Sequence, residues 1–265
     1  MLILLLIVLL YVLSTMCRRG HKGLSALYGW NYAHRGLHGD GVPENSLEAF
    51  RRAVEAGYGS ELDVHLTADG QLAVIHDSLL KRTTGANGRV EDLTAAQLSE
   101  YYLQGTSETI PLFTQVLDIY AGKAPLIVEI KPVSNNIDAL CQKVCDVLDN
   151  YPGVYCVESF DPRCVYWFTK NRPDIIRGQL TKNLFLRPDS TVPFVIKFML
   201  KEQMFNIFTR PDFVAYCFSD RKTISNLICR KLWGAPGVTW TVKTTREYET
   251  AVSENWIPIF EDIRP

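Results

Sequence analysis

The sequence predicts an α/β fold, a closed (β/α)8 barrel, and three observations point there. From residue 111 to the C-terminus, short apolar runs alternate with helical patterns, unit after unit. With two earlier strands these give eight strands in about 235 residues, the size of a closed parallel barrel. Charged and polar residues also collect at the carboxyl ends of the strands, where such barrels build their sites. The rival is an open doubly wound sheet, which would call for a glycine-rich dinucleotide fingerprint, and none is present.

The bulk numbers fit one large domain. The chain has 265 residues and a formal net charge of −1, from 28 basic and 29 acidic side chains. That balance predicts no nucleic-acid partner, since such proteins show a basic excess or stripe. Seven cysteines, an odd count with several inside apolar runs, fit free thiols in a reducing compartment. Cys141 and Cys145 stand four apart on a predicted helix with no matching ligand pair, so they serve as small core residues.

Residues 1–17 are almost wholly apolar and predict a transmembrane anchor at the short end of the range. A cleaved signal peptide would want a basic start and a small-residue cleavage site, and neither is present. Arg18, Arg19 and Lys22 follow at once. By the positive-inside rule they place a single-pass protein in the cell membrane with its catalytic domain facing the cytoplasm. Residues 18–29 then form a basic linker, and 30–265 the barrel domain.

The first strand runs over 30–34. Ser46 caps a helix to residue 56, whose apolar stripe is Leu47, Phe50, Ala53 and Val54. The second strand covers 59–67, turns at Ala68-Asp69-Gly70, and returns as a hairpin arm over 71–75. Residues 78–111 are polar, rich in Thr and Gly, and form a small insertion after the second strand. The remaining strands fall at 126–130, 154–159, 175–180, 213–217, 238–242 and 257–260. Helices fall near 112–121, 136–150, 161–171, 219–232 and 244–254. Residues 181–211 are an extra segment. Its apolar stretch over 192–208 is an ordinary packing helix or, as the sharper alternative, a flap at the membrane or the substrate mouth.

Chemistry centres on the second strand. Glu61 and Asp63 are two apart, so both side chains point to one face while Leu62, Val64 and Leu66 point to the other. Two unpaired buried acids are costly and call for a partner. Glu129 ends the third strand of the barrel, and three acids from two strands suit a hard cation such as Mg²⁺ or Ca²⁺ rather than Zn²⁺. His34 and His76 end neighbouring segments and suit acid and base work near neutral pH. Arg35 and Lys131 supply the positive charge that grips phosphate. Together these favour phosphodiester cleavage over sugar or carbonyl chemistry. Glu158, Gln179 and Trp240 close later strands as rim residues, open equally to packing and to substrate contact. His65 shares the face of Glu61 and Asp63 but lies past them, in a structural position. His38 and His21 belong to loops.

The chain resembles the glycerophosphodiester phosphodiesterases, from about Tyr32 to the C-terminus. The matching motifs are His34-Arg35-Gly36, Pro43-Glu44-Asn45-Ser46, Glu61-Leu62-Asp63, His76-Asp77, Arg82-Thr83-Thr84 with Gly88 and Asp92-Leu93-Thr94, Ile110-Pro111, Glu129-Ile130-Lys131 and Trp240-Thr241. Each is short; their order and spacing are specific. Departures at Ser46, Ser78 and Leu112-Phe113 remove no catalytic residue. The resemblance implies a TIM barrel and metal-dependent hydrolysis of a small glycerophosphodiester to glycerol phosphate and an alcohol. It implies Glu61, Asp63 and Glu129 as metal ligands and His34 and His76 as the acid/base pair. It also implies that Arg35, Glu44 and Lys131 surround the phosphate and that Trp240 flanks the glycerol. Two alternatives stand beside it: phospholipase D-like hydrolysis of lysophospholipids on the same barrel, and a non-catalytic phosphodiester- or lipid-binding protein.

Overall fold

A computed structural model of the chain describes residues 1–133, 135–186 and 192–265. Its strands are β1 (Tyr32–His34), β2 (Gly59–Leu66), β3 (Leu72–Val74), β4 (Leu126–Ile130), β5 (Tyr155–Ser159), β6 (Arg177–Thr181), β7 (Phe213–Cys217), β8 (Gly237–Val242) and β9 (Trp256–Phe260). All but β3 pair in parallel around a ring that closes because β1 bonds to both β2 and β9. β3 lies antiparallel to the far end of β2, over Val64–Leu66. The predicted eight-stranded barrel and its hairpin arm are both present.

The helices are α1 (Leu2–Ser14), α2 (Leu47–Glu55), α3 (Lys81–Thr84), α4 (Ala95–Leu98), α5 (Phe113–Tyr120), α6 (Ile137–Leu148), α7 (Pro162–Asn171), α8 (Phe194–Lys201), α9 (Asn206–Thr209), α10 (Ile224–Leu227) and α11 (Thr245–Ser253). The alternation inside each strand decides what the helices cover. Leu62, Val64, Leu126, Val128 and Val157 point outward and pack under α2, α5, α6 and α7. Ile127, Cys156, Phe213, Val238 and Ile257 point inward and fill the barrel. Glu61, Asp63, Glu129 and Glu158 share this inward parity, so the same period that builds the core aims four acids into the barrel's upper layer. The insertion at 78–111 packs its own small core of Ile75, Leu80, Val90, Leu98, Leu103 and Ile110 over β3.

Two local features position the site. Arg35 and Gly36 both adopt positive φ, at 56° and 78°. A Cβ on Gly36 would sit 2.8 Å from the Cβ of Ala49, so glycine lets the turn after β1 lie directly on α2. Ser46 caps α2 through a 3.1 Å bond from the Ala49 amide and donates to the Pro43 carbonyl at 2.7 Å, fully buried. Ser46→Ala is therefore expected to cost about 1–2 kcal/mol. A chemical denaturation midpoint indistinguishable from wild type would refute that account of the cap.

Several expectations need correction. The apolar segment 1–17 forms α1, whose 13 residues span about 20 Å, against a hydrocarbon core of about 30 Å. Among the described residues no helix is long and apolar enough to cross a membrane. The helix ends because the chain turns into the barrel wall. Thr15 and Cys17 are buried there, and Thr15 accepts from the Trp233 indole at 3.2 Å. Residues 18–29 also lie against the barrel: Arg18 pairs with the buried Asp212 at 2.5 Å, and Leu27 is buried beneath Tyr32.

The helix expected over 219–232 is a 3₁₀ turn, Phe218–Asp220, followed by α10 and a π turn, Ile228–Leu232. Its buried Asn226 is tied to the Arg221 carbonyl and to Gln203. Within the extra segment, residues 187–191 lie outside the described residues. The packing-helix reading of 192–208 fits α9, which buries Asn206 and Thr209. It does not fit α8, none of whose residues is buried.

Candidate active site

The inward acids meet at the barrel's carboxyl end. β2 pairs with β4 so that Asp63 stands beside Glu129, and β4 pairs with β5 so that Glu129 stands beside Glu158. One carboxylate oxygen from each of Glu61, Asp63 and Glu129 lies within 4.8 Å of the others, all buried. Four buried acids would repel strongly, and two cations offset them. The Lys131 ammonium bridges Glu129 at 2.8 Å and Asp63 at 3.1 Å. The Arg35 guanidinium lies 3.5 Å from Asp63, its backbone N–H donates to Glu61, and Asn45 donates to Asp63 at 2.9 Å.

This unequal compensation splits the acids. Burial alone would raise Asp63, but Lys131, His76, Arg35 and the Asn45 bond together hold it well below the usual carboxylate range. Burial, with Asp63 and Glu129 as like charges, pushes Glu61 far up. Burial likewise raises Glu158, and lifts Glu129 to about 7 against the pull of Lys131. The cluster is therefore short of positive charge, and three oxygen donors in one small space fit a hard cation.

The two histidines face this cluster with matching supports. His34 Nδ1 lies 2.5 Å from Glu261, and its Nε2 lies 3.9 Å from Glu61. His76 Nδ1 lies 2.5 Å from Asp77. A carboxylate can only accept, so each Nδ1 carries the proton and each Nε2 is left as the reacting atom. Burial lowers the pKa of His34, and burial lowers that of His76 to about 4. Behind them, Lys243 pairs with Glu261 at 2.5 Å, and Arg82 binds both Asp77 and Glu44. The ligand atoms of His34, His38 and Glu261 also cluster. The Lys243 ammonium on Glu261 marks that group as a histidine support rather than a second cation site.

His34, Arg35, Glu61, His76, Glu129, Glu158 and Trp240 line one cavity of about 200 Å³, with Phe160, Leu180, Lys182 and Ile259. Asp63 and Lys131 stand behind that wall, within the acid cluster. Trp240 meets Phe160 edge-on, ring centroids 5.5 Å apart, and the Lys182 ammonium sits 5.1 Å from the Phe160 ring and 5.6 Å from Trp240. Two expected contacts are placed elsewhere. Gln179 is not part of the cavity wall: its amide donates to the carbonyls of Ser159 and Leu180, at 3.1 and 3.3 Å. Glu44 does not line the cavity either; it joins Arg35 at 2.9 Å to Arg82. His65 is buried and bound to Glu91 at 2.7 Å, the structural position expected for it.

The sequence reading gave no role to Glu261, Phe160, Lys182 or Asn45. Glu261, Phe160 and Lys182 lie one residue beyond the ends of β9, β5 and β6. That position alone was a usable signal, since the carboxyl ends of the strands had already been marked as the site.

Residues 34–186, more than half of the chain, match the model of the glycerophosphoryl diester phosphodiesterase family. A glycerophosphodiester phosphodiesterase of Bacillus altitudinis is 34% identical over 177 residues, covering 61% of this chain and 71% of that one. A lysophospholipase D of Rattus norvegicus is 37% identical over 132 residues, 45% of this chain and 40% of its own length. Among solved structures, an Oleispira antarctica phosphodiesterase holding sn-glycerol-3-phosphate superposes with a TM-score of 0.74 at 20% identity. That match covers 90% of this chain and 94% of the other. The glycerophosphodiester phosphodiesterase of Thermotoga maritima gives 0.66 at 22% identity, with 88% and 95% covered. At these identities the structural matches speak for the fold.

Proposed function

Because this chain belongs to the glycerophosphoryl diester phosphodiesterase family, we propose that it hydrolyses glycerophosphodiesters to glycerol phosphate and a free alcohol. The observation that carries the reading is one cavity in which two carboxylate-supported imidazoles face three clustered carboxylates. Glu61, Asp63 and Glu129 would hold Mg²⁺ or Ca²⁺, both of which take oxygen ligands. When bound, the cation polarises a phosphate oxygen and offsets the charge that develops there.

The chain's own groups do the rest. Arg35 and the nearby Lys131 add positive charge around the phosphate. One imidazole takes a proton from the attacking hydroxyl or water at its free Nε2. The other, doubly protonated as imidazolium beside its carboxylate support, gives its Nε2 proton to the leaving alcohol oxygen as the P–O bond to it breaks. Glu261 and Asp77 each accept from an Nδ1 and so aim both Nε2 atoms at the reaction. Trp240 and Phe160 offer apolar faces to the glycerol carbons.

The test is hydrolysis of glycerophosphoglycerol and glycerophosphocholine, with and without EDTA. Turnover is expected to vanish in EDTA and return with Mg²⁺ or Ca²⁺. Full turnover in EDTA would refute the metal role. Cation binding without turnover of any diester would favour a binding protein on the same barrel.

The seven cysteines are all free and buried, which supports placing the barrel in a reducing compartment. Complete digestion of the protein by protease added outside intact cells would overturn that placement.

A further inference from the structure

The proposed hydrolysis makes no use of His65, a buried imidazole whose two nitrogens are both engaged. It stands on β2, past Asp63, with Nδ1 2.7 Å from Glu91 Oε1 and Nε2 3.2 Å from the backbone carbonyl of His76. We propose that His65 and Glu91 are positioning residues for His76: they clamp the backbone that carries it, so that the insertion at 78–111 takes part in setting the reacting imidazole. This rests on the phosphodiesterase reading of the cavity and deepens it.

Both partners of the ring are acceptors. A carbonyl can only accept, and Glu91 is ionised: burial would raise its carboxyl, but the bonds from His65 and Ser78 hold it below the usual range. Each ring nitrogen therefore donates, and turning the ring breaks both bonds. The second oxygen of Glu91 accepts from the Ser78 hydroxyl at 2.6 Å, and the Val90 amide donates to the Ser78 carbonyl at 2.9 Å. The run His76-Asp77-Ser78 is thus held at its first residue by β2 and at its last by the insertion. Ser78, a departure from the family's pattern, is the donor that completes this hold. Val90, next to Glu91, belongs to the insertion's own core, which keeps the carboxylate in place.

The sheet explains why a clamp is needed. β3 ends at Val74, and the Ile75 amide still bonds back to β2, at the Asp63 carbonyl, 3.1 Å away. His76 follows outside the strand. Asp77 and Arg82, which orient its ring, belong to the same loop and to the insertion behind it. If that loop shifts, the ring and its support shift together. The His65 bond ties the loop to the strand that carries Glu61 and Asp63. His65 and Asp63 share one face of β2, so the acid cluster and the reacting ring are referred to one rigid element. An error of about 1 Å in such placing can cost about 10²-fold in rate.

Two substitutions divide the two bonds of the ring. In His65→Asn the amide takes the place of Nδ1 and still reaches Glu91, but nothing reaches the His76 carbonyl. In His65→Gln the amide takes the place of Nε2 and keeps the carbonyl bond without the one to Glu91. With glycerophosphoglycerol and saturating cation, His65→Asn is expected to lower kcat about 30-fold or more, with KM within about threefold of wild type. His65→Gln should keep kcat within about fivefold. On the His76→Ala background, His65→Asn should slow turnover less than about twofold further, because it acts through His76. If the asparagine variant does not fold, Glu91→Ala, which frees the ring and Ser78 together, should lower kcat about tenfold.

A wild-type kcat in His65→Asn or in Glu91→Ala overturns the proposal and leaves the hydrolysis reading standing. So does a loss of kcat equal in the asparagine and glutamine variants, which would mark a role in stability alone. The placing of the ring also has a readout without turnover. In imidazole NMR spectra the His76 signals should move in His65→Asn and stay close to wild type in His65→Gln. That pattern in a protein that cleaves no diester would sink the catalytic reading and leave the hold on His76 standing. Signals unmoved in both variants would sink the clamp.

Discussion

Replacing either His34 or His76 by alanine is expected to lower kcat about 10³-fold while the fold survives. General acid and base groups typically contribute 10²–10⁴-fold each. Both imidazoles line the catalytic cavity, and neither is among the core-forming residues, so the loss should appear in kcat with little change in the unfolding midpoint.

The supports of the two rings make the prediction sharper. Glu261→Ala removes the group that fixes the His34 tautomer and leaves Lys243 without its 2.5 Å partner. It should cost about tenfold to a hundredfold in kcat, less than His34→Ala. Glu261→Asp should restore part of the rate. Because Glu261 acts through His34, the double variant His34→Ala/Glu261→Ala should be scarcely slower than His34→Ala alone. Near-normal turnover by either histidine variant, or full additivity in the double, would remove these residues from the reaction.

What could be read from the sequence follows a physical boundary. Local rules with a fixed period were legible. The two-residue alternation that sent Glu61, Asp63 and Glu129 inward and Leu62, Val64 and Val128 outward needs no tertiary knowledge. The Ser46 cap is likewise local, and it holds in the structure at 3.1 Å. Contacts across the ring were not legible. Glu261 meets His34 over 227 residues of chain, and only closure of β9 onto β1 brings them together. Gln179 shows another limit: inward parity put it on the right face but left packing and substrate contact open, since parity does not give depth, and its amide binds neighbouring carbonyls. At the N-terminus hydropathy does not mark where the apolar helix stops: α1 ends at Ser14, and Thr15 accepts hydrogen bonds from Trp233 and Cys229 in the barrel wall.

Cation affinity is expected to rise steeply with pH, and the unequal acids explain why. In the metal-free protein burial lifts Glu129 to about 7, and burial with its charged neighbours raises Glu61 as well, while Asp63 stays ionised. Below about pH 7 a cation must displace protons from Glu61 and Glu129, and each displaced proton changes Kd about tenfold per pH unit. The Kd for Mg²⁺ or Ca²⁺ should therefore fall between about tenfold and a hundredfold from pH 6 to pH 7, and less steeply above.

Stability must follow the same linkage. Both carboxyls have folded-state pKa values above those of the unfolded chain. Their contribution is fully present below the unfolded values and is lost as pH rises through the folded ones. The Tm of the metal-free protein should drop between about pH 5 and pH 8, while saturating cation holds it up, so the gap between the two curves widens with pH. Glu129→Gln should shrink the gap and lower turnover about 10³-fold. At pH 8 it should also leave the metal-free protein no less stable than wild type, because one of the crowded charges is gone. A gap that stays constant from pH 5 to pH 8, or that Glu129→Gln leaves unchanged, would place the cation somewhere other than among these three acids.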